Sequence, residues 1–361
     1  MTAIRVTLFG LLAIGLSSAA MRGSVADDAA VKAEPASKAA PEPTAAPEPT
    51  AAADSTEKAD DDKTTAPTWK LEYRFRQGEF LHFHAKSEST MRVSAREVSQ
   101  TLRENRETFK HFRVVAVDKN GSAVLEPVID RAIMQARSDN DEAILWDSRS
   151  KAAVPKRFQP VAESVGNPKV RVRYKPNGEV EEVLPVDGEK EELNPDKSAY
   201  GFLIRLPDEA IAVGDSWNDD FVVQVSPEPD LSRKLQQDID IRRVYTLKSV
   251  ENGVAKITFS TSVKKPVREP IIKAQLISRS LQGTVEFELK RGLILKWTSA
   301  GSGQVFDPYG SSSMLESSLA SVERFATKSE AFRKPVASNL PPSVASEPGR
   351  PGADLPSGRR F

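Results

Sequence analysis

The chain has no cysteine in 361 residues, which excludes disulfides, Cys-ligated zinc, iron–sulfur clusters and thiol nucleophiles. It also removes the acylated cysteine on which a bacterial lipid anchor is built. Histidine is scarce, with only His82, His84 and His111. Neither charge sign dominates: 51 Lys and Arg balance 51 Asp and Glu, so no global field recruits nucleic acid or an anionic membrane. No Gly-x-Ser-x-Gly elbow, His-Glu-x-x-His helix or phosphate-cradling glycine loop occurs. No cofactor and no catalytic residue is therefore assigned, and the chain reads as a non-enzyme.

What is present begins with a compartment signal. Arg5 precedes the apolar run Val6 to Leu16, and Ser24-Val25-Ala26 forms a small-x-small cleavage site, with Ser18-Ala19-Ala20 as a rival. The run is shorter than the about 20 apolar residues a membrane-crossing helix needs, so residues 1–26 read as a signal peptide. The mature chain is expected in the bacterial periplasm or outside the cell, with no transmembrane segment. Without disulfides it must be held by an ordinary core, hence by a domain of substantial size.

Residues 27–67 cannot build that core. They are rich in Ala, Pro, Glu, Thr, Asp and Lys, and Ala40-Pro-Glu-Pro-Thr-Ala45 recurs directly as Ala46 to Ala51. Proline and the shortage of apolar side chains predict a disordered tether. Ten acidic against four basic residues give 27–66 a net charge of −6, whereas 333–361 carries five basic and two acidic, a net of +3. That C-terminal stretch is Pro/Ser/Gly-rich and reads as a second disordered tail.

Between the tails, residues 68–332 read as strands. Trp69, Leu71, Tyr73 and Phe75 alternate with charged residues, the period of a sheet with one wet face. Asn-Gly and Arg-Gly turns at 120–121, 177–178, 252–253 and 291–292 predict four β-hairpins. Gly78 to Gly121 spans 43 residues and Gly214 to Gly253 spans 39, which suggests duplicated halves of about 68–200 and 201–332. The first half would then carry an insertion around Ser138 to Gly166, holding a helix candidate at Lys156 to Val165. The expected fold is mainly β: an antiparallel sheet or half-barrel with few helices.

Leu206-Pro207, Val213-Gly214-Asp215-Ser216-Trp217 and the hairpin carrying Tyr245, Leu247, Val250, Gly253, Ala255 and Ile257 resemble a family of uncharacterised exported bacterial proteins. Its members pair an "lP…vGdsW" segment with such a hairpin, and Trp146-Asp147-Ser148 fits as well. The resemblance spans Trp69 to Phe325 and implies a fold without lending an activity. A long antiparallel sheet with sparse helices is also similar, at fold level, to the half-barrels of lipoprotein-localisation proteins. Read from the residues themselves, Gly214, Asp215, Ser216 and Trp217 form a structural corner: a tight bend, two side chains that bond backbone, and an indole to bury.

Few residues offer chemistry. His82 and His84 share one face of a strand and would bind a metal if His111 or a carboxylate such as Glu79 came near, since two same-face ligands leave the shell incomplete. Lys169, Arg171, Arg173 and Lys175 form a basic face able to grip an anion, but exposed aromatics are not interleaved with them, which argues against nucleic acid. Ser299 to Gly303 lacks the spacing of a nucleophile elbow. Asp139 to Glu142 lacks the glycine and distal glutamate of a calcium loop, and Glu179, Glu181 and Glu182 read as exposed. Three readings remain: first an envelope protein that binds a partner protein or wall polymer through a tethered β-domain, then a carrier holding an apolar or lipid ligand, and last an enzyme with no recognisable motif. The carrier would need an inner face of Leu, Ile and Phe that no helix fills.

Overall fold

The computed structural model describes residues 67–139, 141–186, 201–225 and 237–332. The signal peptide, the tether up to residue 66, the tail from 333 and the junction between the two expected halves near residue 200 all lie outside the described residues. The fold is mainly β, as the alternation predicts. The strands are β1 (Thr68–Trp69), β2 (Phe80–Ala95), β3 (Val98–Val117), β4 (Ala123–Ser138), β5 (Ile144–Asp147), β6 (Val170–Tyr174), β7 (Val180–Pro185), β8 (Ile211–Ala212), β9 (Ser216–Val225), β10 (Gln237–Glu251), β11 (Val254–Val263), β12 (Gln282–Glu288), β13 (Leu293–Phe306) and β14 (Ser313–Phe325). Three short helices accompany them: α1 (Gln159–Ala162), α2 (Pro270–Leu276) and α3 (Lys328–Phe332). Residues 311–332, for which the sequence favours neither strand nor helix, thus supply β14 and α3.

Twelve strands make one antiparallel sheet in the order β7-β6-β4-β3-β2-β14-β13-β12-β11-β10-β9, with β5 added to β4, while β1 and β8 pair separately. The first and last long strands, β2 and β14, meet in the middle, and each half meanders outward to a free edge. All four expected hairpins form, and the glycine at 178 takes a φ of +81° in its turn.

The two edges are drawn together at one end. The strap 70–77 donates Tyr73 N–H to Pro176 O (2.7 Å) in the β6–β7 turn and Arg74 N–H to Gly292 O (3.3 Å) in the β12–β13 turn. A second strap, 201–207, donates Leu206 N–H to Asn177 O (2.7 Å) and accepts Trp217 Nε1–H at Arg205 O (2.8 Å). Elements from opposite halves therefore touch the same segments, and the sheet closes into an incomplete barrel. This corrects the expectation for Trp69 to Phe75. The alternation is real, but beyond β1 the segment joins no sheet; Leu71, Tyr73 and Phe75 point into the barrel and are buried there.

α1 and α2 cover the interior away from the straps. The candidate at 156–165 shortens to a 3-10 turn, Lys156–Phe158, followed by α1. Pro160 sits in the first turn of α1, where its missing N–H costs nothing. Phe158 stacks on Trp146 at 6.2 Å over Ile129, Ala132, Met134 and Ala136 of β4. The sequence gives no warning of α2, whose Ile272 and Leu276 pack on β9 and β10 while Ala274 packs beside Val93, Val305 and Leu315.

Candidate functional site

Cross-strand register fixes which residues share a face. Starting from the core residues Phe83, Phe112 and Phe325, the inner face of the central strands continues along β2 as Ala85, Ser87, Ser89, Met91 and Val93. Beside them lie Lys110, Thr108, Arg106, Glu104 and Leu102 of β3, and Glu323, Ser321, Leu319 and Ser317 of β14. The same level of the other half carries Asp219 of β9, Arg243 of β10, Thr261 of β11 and Ser299 of β13. The interior is thus layered. An aromatic core fills the strapped end, apolar clusters lie under α1 and α2, and a belt of polar and small residues runs between them.

The belt is partly exposed over Ala85, Ser87, Ser89, Ser317 and Ser321, although these residues sit on the central strands of the sheet. Lys110 reaches across Ala85 to Glu323 (2.8 Å). Arg243 donates to Thr261 Oγ1 (3.0 Å) and lies over the rings of Phe221 and Phe259. Burial pushes the Asp219 carboxyl above its ordinary pKa, against the pull of Arg243. Glu104 is held by Arg157 (2.9 Å). Arg106 differs from the other cations of the belt: among the described residues it has no ion pair or hydrogen bond, and burial pulls its pKa down against the attraction of Glu104, a carboxylate that Arg157 already holds. Trp297, on the same face as Ser299, has a buried Nε1–H that is likewise unpartnered among the described residues.

The outer face holds a second cluster. His82 and His111 are directly opposite one another across β2 and β3. A β-bulge in β4 leaves Asp130 as an extra residue between Ile129, which faces Lys110, and Arg131, which faces Phe109. Its carboxylate lies 2.8 Å from His111 Nδ1 and 3.8 Å from His82 Nδ1. Burial, and then the neighbouring His111, hold the His82 pKa below 6.5.

His84 shares the face of His82 but belongs to a different constellation. It stacks on Phe109 at 4.3 Å, bonds Glu107 through Nε2 (2.7 Å) and meets Arg324 at Nδ1 (3.2 Å). The partners of His82 are therefore His111 and Asp130, not His84 or Glu79.

The corner at 214–217 is built as its residues suggest. Gly214 has a φ of +100°, and Asp215 Oδ2 accepts Ala212 N–H at 2.8 Å. Ser216 Oγ meets Thr246 Oγ1 at 2.8 Å. Trp217 stacks on Tyr245 with ring centroids 5.3 Å apart and remains half-buried. On the basic face, Arg171 is paired with Glu126 (2.8 Å), Arg173 with Asp118 and Glu182, and Lys175 with Glu179 (3.1 Å). Only Lys169 has no carboxylate within ion-pair distance among the described residues, so this face offers an anion little free charge. Ser299 to Gly303 runs inside β13, and no described helix is long and apolar enough to cross a membrane.

No protein-family model and no curated protein matches the chain. Among solved structures, lipovitellin, described for its lipid–protein interactions, is 12% identical with a TM-score of 0.37, the match covering 70% of this chain and 26% of that one. A DUF1329 family protein from Desulfovibrio piger is 11% identical over 68% and 86% of the two chains, with a TM-score of 0.14. DynF from the dynemicin biosynthesis pathway of Micromonospora chersina is 7% identical over 74% and 89%, with a TM-score of 0.20. These superpositions are loose, and they identify no family for this chain.

Proposed function

We propose that the chain is an exported carrier whose incomplete barrel holds an amphiphile by an anionic head group. The observation that carries this reading is Arg106, a partly buried guanidinium on the inner face that makes no ion pair or hydrogen bond among the described residues, its neighbouring carboxylate Glu104 being held by Arg157. A buried cation left unpaired is costly and is retained where something else supplies its counter-charge. The belt around it has the cations Arg106, Lys110 and Arg243, with Arg157 on Glu104, against three carboxylates, Glu104, Asp219 and Glu323, an excess of one positive charge. The unpartnered Trp297 Nε1–H adds a donor on the same face. A purely apolar ligand fits less well. The Leu, Ile and Phe of the inner face are already covered by the straps and by α2. Met91 and Leu102 remain partly exposed beside the belt, where an apolar chain would lie.

The test is a titration of the whole chain with a dansyl-labelled fatty acid and its matched alcohol. Saturable binding of the acid, weakened at least tenfold by Arg106→Met, supports the reading. The substitution should leave the melting temperature unchanged or raise it, because replacing a strained buried charge by an apolar side chain is commonly neutral or stabilising. Equal binding of acid and alcohol, or of neither, contradicts it.

The other reading, an interaction module for an envelope partner or wall polymer, rests on a different feature. The tips of the β2–β3 and β13–β14 hairpins meet through Arg96 N–H to Ser312 O (3.1 Å) and expose Val98, Phe306 and Tyr309 by 72%, 65% and 42%. Retention of the chain on its own envelope fraction, lost in a Val98→Ser/Phe306→Ser variant that still binds the acid, would favour that surface.

A further inference from the structure

We propose that His82, His111 and Asp130 bind one divalent transition-metal ion on the outer face of the barrel, with a fourth position left to water. Two imidazoles and a carboxylate form the donor set that suits Zn²⁺ and its neighbours in the first transition row, and three protein ligands plus water is a recurrent zinc geometry. The ligand atoms of the three residues all lie within 4.8 Å of one another. In a tetrahedral site with bonds of about 2.1 Å the ligand atoms stand about 3.4 Å apart. The Asp130 carboxylate sits between the two rings, with Oδ1 2.8 Å from His111 Nδ1 and Oδ2 3.8 Å from His82 Nδ1. The widest separation has at most about 1.4 Å to close, a distance that side-chain rotation supplies.

Three features of the chain point to the same place. It has three histidines in 361 residues, and cross-strand register sets two of them face to face. The third ligand, the Asp130 carboxylate, arrives through a β-bulge, a device that re-aims a single side chain out of the regular alternation. The side chains of His82, His111 and Asp130 are between 14% and 16% exposed, so an ion can enter without unfolding the sheet. His84 is excluded from the ligand set because Glu107, Phe109 and Arg324 already engage both of its nitrogens and its ring face. The site lies on the opposite face of the sheet from Arg106, and it stands whether or not the barrel carries an amphiphile.

Calorimetric titration of the whole chain with Zn²⁺ alone, in a buffer that does not chelate, tests the site. One saturable equivalent is expected, with Zn²⁺ raising the melting temperature. His82→Ala, His111→Ala and Asp130→Asn should each weaken binding at least tenfold, since even second-layer partners of metal sites are worth about 10–100-fold. His84→Ala should retain full affinity. Metal-free melts identify any variant that fails to fold, and Asp130→Asn keeps the shape of the side chain while removing its charge. Absence of a saturable equivalent, or an affinity unchanged in the His82→Ala/His111→Ala double variant, overturns the proposal; the latter result would place the ion elsewhere on the chain.

Discussion

Replacing Trp217 by alanine removes the side chain that ties the free edge β9 to the strap 201–207. Complete burial of a tryptophan makes its truncation cost about 3–5 kcal/mol, but Trp217 is half-buried, so the lower part of that range applies. About 100 Å² of apolar surface returned to water contributes about 2.5 kcal/mol. Loss of the hydrogen bond from Nε1 to Arg205 O (2.8 Å) adds about 1 kcal/mol, and part of the stack on Tyr245 is already counted in the area. The expected cost is about 3.5 kcal/mol. Trp217→Phe keeps an aromatic ring against Tyr245 and loses the hydrogen bond, so about 1–1.5 kcal/mol is expected. Urea unfolding followed by circular dichroism measures both. An alanine variant destabilised by less than about 1 kcal/mol, or a phenylalanine variant as damaged as the alanine one, would refute the assignment of this residue to the edge contact.

Two glycines with similar backbone angles should respond differently. Gly178→Ala would place Cβ 2.4 Å from Ile204 O and 2.7 Å from the Tyr73 ring, so about 3 kcal/mol or more should be lost. Gly214→Ala meets nothing within 4 Å, and only its φ of +100° resists, which costs about 1 kcal/mol; chemical denaturation of the pair checks the order. Glu330, hydrogen-bonded to Arg324 and to Thr327 N–H, has its pKa held down at about 2 from 4.5. Its contribution to docking α3 is present above pH 4.5 and is lost as the pH falls toward 2, so the protection of α3 amides, corrected for their intrinsic exchange rates, should fall across that window, and Glu330→Gln should abolish that fall.

Much of this architecture is written in turn chemistry. Asn120-Gly121, Asn177-Gly178, Asn252-Gly253 and Arg291-Gly292 mark four hairpins in the sequence, and each forms. The β2–β3 hairpin, which places the candidate metal ligands, escapes that reading. Its two-residue turn, Arg96-Glu97, contains neither glycine nor asparagine, and Arg96 adopts a φ of 56°. Without that turn nothing sets His82 opposite His111, and without the bulge nothing lifts Asp130 to the same face. The polar belt is hidden for another reason. Lys110, Arg106, Asp219 and Arg243 occupy positions of core parity, where alternation alone assigns apolar residues and a charge reads as part of the wet side. The straps are legible as amphipathic segments, but whether such a segment joins a sheet or plugs a barrel depends on contacts more than a hundred residues away, such as Tyr73 Oη with the backbone of Ile204.

Native mass spectrometry of the chain purified from its own host tests the central claim, that the belt holds an anionic amphiphile, most directly. The account predicts a single adduct that survives gentle ionisation, leaves on denaturation as an anion with an apolar tail, and disappears in Arg106→Met while the fold persists. A bare chain under both conditions, or a neutral apolar adduct retained equally by wild type and Arg106→Met, would contradict it.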